Sequence, residues 1–105
     1  MADNKHVETS DIDKDKLIDT LTSELPVFRA KIGLSQEEVS NIIGVSRQTY
    51  STIENKKRKM SWNTFLSLVL FFGCNESTAV MMDNLGVLSS ELNDFLSKNN
   101  RRELK

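Results

Sequence analysis

Leu34-Ser35-Gln36-Glu37-Glu38-Val39-Ser40-Asn41-Ile42-Ile43-Gly44-Val45-Ser46-Arg47-Gln48-Thr49-Tyr50-Ser51-Thr52-Ile53-Glu54-Asn55 is the stretch that decides how this chain folds. Ser35 and Glu38 stand at the spacing of a capping box. The serine hydroxyl can accept from the Glu38 amide, and the Glu38 carboxylate can reach back to the Ser35 amide, so a helix starts there. Val39, Ile42 and Ile43 follow at i, i+3 and i+4, an apolar stripe on one helix face. Gly44 stops this helix after about two turns. Val45 is an apolar plug. Ser46 can cap a second short helix over residues 47–55, with Tyr50 and Ile53 facing inward.

Two short helices joined by Gly44-Val45-Ser46 are a helix-turn-helix signature. The small glycine lets the backbone turn sharply, and Val45 anchors the turn in the core. Val39, Ile43, Tyr50 and Ile53 clamp the helices at a fixed angle, with Ser40 small at their close approach. Arg47, Gln48, Ser51, Thr52 and Asn55 are then left pointing outward. They are polar and rich in donors, fit to read base edges or grip phosphates.

The flanks also read as helices. Leu17, Ile18, Leu21 and Leu25 share one helical face. Pro26 leaves two readings, a kink or a fresh helix start, with the helix running to Ile32 and Gly33 as its cap. Lys56-Lys57-Arg58-Lys59 is a loop, since like charges repel. Ser61 offers a third cap, and the helix from Trp62 to Gly73 is apolar almost all round, so it is buried or partly covered. Two shorter helices are expected at 76–85 and 90–98, with Gly86 between them. No stretch alternates as a strand does. The chain is expected to be all-α: a polar, mobile segment over 1–16, a domain over 17–85, and a C-terminal helical segment and tail over 86–105.

Composition narrows the function. With 105 residues, 38% of them hydrophobic, the chain suits one domain. Its one cysteine, Cys74, excludes an internal disulfide, and its one histidine, His6, lies in the polar start. Together they exclude the usual Cys/His zinc sites and speak against histidine catalysis, so no metal, cofactor or catalytic residue is expected. Cys74 reads as a small semi-buried apolar residue. No apolar run approaches the roughly 20 residues needed to span a bilayer, and the start lacks the apolar core of a secretory signal.

The overall charge of −1 suggests no polyanionic partner, but its distribution does. Residues 1–25 hold three basic and seven acidic groups. Residues 26–60 hold seven basic (Arg29, Lys31, Arg47, Lys56, Lys57, Arg58, Lys59) and three acidic (Glu37, Glu38, Glu54), a net +4. A basic middle third points, weakly by itself, to an anionic partner.

The run from Leu34 to Ser40, then Ile43 to Tyr50, then Ile53-Glu54-Asn55 resembles the Cro/cI-type helix-turn-helix of the xenobiotic-response-element class of bacterial and phage regulators. The resemblance covers roughly residues 25–72, with the helix after Glu76 as a fifth. It implies a five-helix, lambda repressor-like domain with an N-terminal helical extension and a short C-terminal helix. It also implies a sequence-specific regulator of the repressor kind that binds double-stranded DNA, is cytoplasmic, and is not an enzyme. By the resemblance, Gln36 lies near the DNA backbone and supports the recognition helix. Arg47, Gln48 and Thr49 enter the major groove, Thr52 reaches bases one turn on, and Asn55 meets the backbone. Ser51 shares that outward face. The family commonly follows the asparagine with glycine. Here it is Lys56, for which a left-handed backbone costs more.

Some readings stay double. Arg47 can bind guanine or a phosphate, and Gln48 can read adenine. Lys56, Lys57 and Arg58 can grip phosphates or merely solubilise a loop. Leu85, Val87, Leu88, Leu92, Phe95 and Leu96 either fold back onto the core near Leu66, Leu70 and Phe71 or form a homodimer surface. The rival to DNA reading is an antitoxin or adaptor that binds a protein partner through the acidic start.

Overall fold

The computed structural model describes residues 12–87, 92 and 94–97. Five helices follow in chain order: α1 (Lys14–Ile32), α2 (Gln36–Ile43), α3 (Arg47–Glu54), α4 (Trp62–Gly73) and α5 (Glu76–Leu85). A further helical segment is described at 92 and 94–97. No strand occurs among the described residues.

Serine caps set three of the boundaries. Ser35 accepts from the Glu38 amide while Glu38 accepts from the Ser35 amide, so the capping box is complete. Ser46 accepts from the Thr49 amide and Ser61 from the Thr64 amide. Asn75 accepts from the Ser77 amide at the start of α5. Each satisfies an amide that has no partner in its own first turn.

α1 resolves the proline question. It is one helix of 19 residues with Pro26 inside it, so the N-terminal extension and the first helix of the domain are continuous. A proline there costs about 3 kcal/mol. Leu21 and Leu25 before it and Phe28 after it are fully buried. Burying each such side chain is worth about 1.5–3 kcal/mol, enough to hold the helix together across the break. Asp13 caps α1 through the Lys16 amide, and Ile12 is in the core. The helix thus starts at Lys14 and not at Leu17, and the segment read as polar through residue 16 contributes from residue 12 onward. Residues 1–11 lie outside the described residues.

α1 crosses α3, α4 and α5, and α2 packs on α3 and α4. Phe28 and Phe72 meet edge to face, with ring centroids 5.2 Å apart, at the centre of this arrangement. Thr78 ties α5 to α4 by donating its buried hydroxyl to the Phe72 carbonyl at 2.6 Å. Of the C-terminal apolar residues, Leu85 is 37% exposed and several others fold back. Val87 and Leu92 are buried, and Phe95 and Leu96 pack against the core, whereas Leu88 lies outside the described residues. They do not cover Leu70, which is 69% exposed.

Three expectations are corrected. Ile42, assigned to the inward stripe of α2, is 53% exposed, because only Val39 and part of Ile43 face the core from so short a helix. Leu70 breaks the apolar coverage of α4. Cys74, read as semi-buried, is exposed at the C-terminal cap of α4.

Candidate nucleic-acid interface

The helix-turn-helix is built as its sequence requires. The Gly44 amide and the Val45 amide both donate to the Ser40 carbonyl, at 2.9 and 3.0 Å, which closes α2 and turns the chain. Gly44 sits at φ +83, a left-handed conformation that side chains rarely adopt. Ser40 is fully buried with its hydroxyl on the Glu37 carbonyl, so the approach of the two helices leaves no orphan donor.

On α3, Tyr50 and Ile53 are buried. Arg47, Gln48 and Asn55 are exposed, and Ser51 is half-buried on the same side. Their spacing (i, i+1, i+4, i+8) keeps them on one face. None of these four side chains makes a hydrogen bond or ion pair within the described residues. Thr49 and Thr52 differ. The Thr49 hydroxyl meets the Ser46 hydroxyl at 3.0 Å, and the Thr52 hydroxyl donates to the Thr49 carbonyl at 2.8 Å. Both are half-buried and partly committed to the helix itself.

The back of α3 is fixed by a group that the sequence reading did not single out. Glu54 accepts from Arg29 twice, through Nε at 2.9 Å and Nη2 at 2.8 Å, a side-on bidentate pair. It also accepts from the Tyr50 hydroxyl at 2.9 Å and from the Gln36 amide. Arg29 donates a third time, to the Leu34 carbonyl. α1, α2 and α3 therefore converge on one carboxylate whose side chain is 5% exposed. Burial alone would raise its pKa. The donors of Arg29, Gln36 and Tyr50 outweigh that and hold it below the usual carboxylate range. The Tyr50 hydroxyl is pushed upward by burial and by the neighbouring carboxylate. The half-buried Gln36 side chain thus ties α2 to α3 through Glu54.

The basic loop follows. The Lys56 amide donates to the Ile53 carbonyl and the Lys57 amide to the Thr52 carbonyl, both at 2.9 Å, a Schellman cap on α3. Lys56 is the residue at the left-handed position, with φ 66, and is the only non-glycine there among the described residues. Lys56, Lys57 and Arg58 are exposed and make no ion pair among the described residues. Lys59 pairs with Asp15 at 3.0 Å and Asp19 at 3.9 Å of α1, and Lys56 and Arg58 line a hollow with it beside Asp19, Thr22 and Ser23. The basic character of the middle third is therefore smaller than the residue count suggests. Arg29 is neutralised by Glu54, and Lys59 is drawn to α1. What remains on the α3 side is Arg47, Lys56, Lys57 and Arg58.

With this geometry in view, the comparison with protein families is direct. The helix-turn-helix family model matches residues 28–77, from the second half of α1 into α5. Residues 28–77 are a helix-turn-helix domain of the Cro/cI type, with the lambda repressor-like fold. The chain is accordingly a DNA-binding transcription regulator of the helix-turn-helix kind. No curated protein and no solved structure matches it. No helix among the described residues is long and apolar enough to cross a membrane.

Proposed function

We propose that the chain reads a specific DNA sequence in the major groove with α3 and represses transcription by occupying a promoter as a homodimer. The observation that supports this most is the face formed by Arg47, Gln48, Ser51 and Asn55. These groups have no partner among the described residues, yet they stand on a helix whose back is locked by Glu54. A helix of 8 residues is about 12 Å long, comparable to the major groove, about 12 Å wide. Arg47 and Gln48 lie in its first turn, the part that meets base edges in this docking geometry. Thr49 and Thr52 offer methyl groups and hydroxyl lone pairs beside them. Asn55, Lys56, Lys57 and Arg58 continue past the helix end as phosphate contacts, which supply affinity and salt dependence but no sequence choice. The capping box satisfies the Ser35 and Glu38 amides. The amides of Gln36 and Glu37 are left at the N-terminus of α2 as further donors for a phosphate. The proposed setting is the cytoplasm of a bacterium, or of one carrying a phage.

The alternative reading, an antitoxin or adaptor, draws on the acidic start. Two of those carboxylates, Asp15 and Asp19, already face Lys59 of the same chain. The test is selection of bound sequences from a random pool of duplex DNA. A short, enriched, palindromic motif is expected. A folded protein that enriches nothing would overturn the DNA-reading function and favour the adaptor.

A further inference from the structure

The hollow between α1 and the loop after α3 has a volume of about 250 Å³. Asp19, Thr22 and Ser23 line it from α1, and Lys56, Arg58 and Lys59 from the loop. Three cations and one carboxylate leave the lining net +2. A concavity walled by one sign of charge concentrates ions of the other sign. The volume falls below the roughly 300–1,000 Å³ of sites that enclose drug-sized ligands. It matches the share of about eight waters in the liquid. It suits a compact anion that keeps part of its hydration.

We propose that this hollow seats a phosphate group. Three observations carry the assignment. First, donors stand uncommitted around it. The side chains of Lys56, Arg58 and Ser23 make no hydrogen bond or ion pair among the described residues. Only the Thr22 hydroxyl is spent, on the Ile18 carbonyl at 2.7 Å. An ammonium, a guanidinium fork and a hydroxyl can share the several acceptor oxygens of one phosphate. Second, the single carboxylate takes little of the positive charge. Asp19 is 3.9 Å from Lys59, at the limit of an ion pair, and its side chain is 74% exposed. The nearer partner of Lys59, Asp15 at 3.0 Å, is not part of the lining. Third, Lys56 lines the hollow from a costly backbone. Its φ of 66 is one that glycine adopts freely. Strain of this kind is characteristic of ligand clamps, and a glycine would bring no ammonium. The phosphate can come from the DNA backbone, a source that rests on the DNA reading above, or from a free phosphate, which does not.

The test is a titration of the full-length protein with inorganic phosphate at constant pH and ionic strength, with chloride making up the balance. Amide resonances are followed by NMR. The amides of Ser23, Lys56 and Arg58 should shift and saturate together. Lys56→Gly and Arg58→Ala should each weaken binding about threefold to fivefold, and Asp19→Asn should tighten it by a similar factor. Lys56→Gly relieves the strained backbone, so weaker binding in that variant does not come from unfolding. Lys57→Ala is the control. Lys57 stands in the same loop with the same charge but does not line the hollow, so its loss should leave the affinity unchanged. The titration is then repeated on the protein saturated with its selected duplex. Phosphate binding abolished by the duplex identifies the DNA backbone as the source, and binding that persists identifies a free phosphate. Shifts that grow without saturating, or a Lys57→Ala protein weakened as much as Lys56→Gly, overturn the seat. Either result leaves the reading of bases by α3 standing, because motif enrichment decides that separately. A protein that enriches no motif removes only the DNA source, and the titration of the free protein still decides the seat.

Discussion

Glu54 receives four hydrogen bonds from side chains of three helices, and removing it tests how α3 is held. Glu54→Ala leaves Arg29 largely buried with no counterion, which costs about 3 kcal/mol. Urea unfolding should register that loss. Replacing both partners, as Arg29→Met with Glu54→Leu, should recover most of it, because paired ions in a protein interior gain little over apolar packing. The same carboxylate sets a pH dependence. Its folded pKa lies below the ordinary value, so its contribution is full above about pH 4.3 and is lost as the pH falls through the folded value. Urea midpoints of parent and double variant should therefore lie close together at neutral pH and diverge in acid, where only the parent loses the contribution of Glu54. Lys56 is a second residue-scale test. A left-handed conformation costs a side chain about 1–2 kcal/mol, so Lys56→Gly should raise the stability by about 1 kcal/mol. A calorimetric melt would show it. Neither feature was equally open to sequence reading. The strain at Lys56 follows from local cap chemistry and is visible in the string Glu54-Asn55-Lys56. The Glu54 cluster needs Arg29, 25 residues away in the chain, and no local pattern brings that pair together.

At the scale of elements, Pro26 is the clearest test. Its ring removes the amide that would bond to the Thr22 carbonyl, which therefore lacks its helical donor. Since α1 is continuous, Pro26→Ala should restore the missing bond and stabilise the protein by about 1–3 kcal/mol. An unchanged or lowered melting temperature would mean that the backbone set by Pro26 serves the packing of Phe28. The basic loop is the second element to test. Losing Lys57 and Arg58 together should reduce the magnitude of the salt slope of DNA binding by about 2, roughly one unit for each phosphate contact. A slope equal to that of the parent would remove the loop from the interface. The helix starts were legible because serine caps act within one turn. The capping box at Ser35 and the caps at Ser46 and Ser61 needed no knowledge of the rest of the chain. The facing of α2 was less legible. In a helix of 8 residues the stripe through Val39, Ile42 and Ile43 is too short to fix which edge meets the core, and Ile42 fell on the open side. The continuity of α1 through Pro26 depends on apolar residues buried on both sides of it, a tertiary effect that spacing alone left undecided.

For the molecule as a whole, charge placement matters more than charge count. The overall −1 and the basic middle third both mislead in part, because Arg29 is neutralised internally and Lys59 turns to α1. The basic face at α3 and its following loop is smaller and more sharply placed than composition implied. If the chain binds as a homodimer, its two copies of α3 should match half-sites about 34–36 Å apart or a multiple of it. That spacing can be read from the symmetry of the selected motif. The central claim is that the exposed side chains of α3 choose the bases. It is tested most directly by repeating the selection from random duplex DNA with Arg47→Ala and Gln48→Ala, beside the parent and the Lys57→Ala, Arg58→Ala pair. Each α3 variant should relax the motif at its own position in both half-sites, at a cost of about 1–3 kcal/mol, and the loop pair should weaken binding without altering the motif. Recovery of the parental motif, undiminished, by both Arg47→Ala and Gln48→Ala would contradict it.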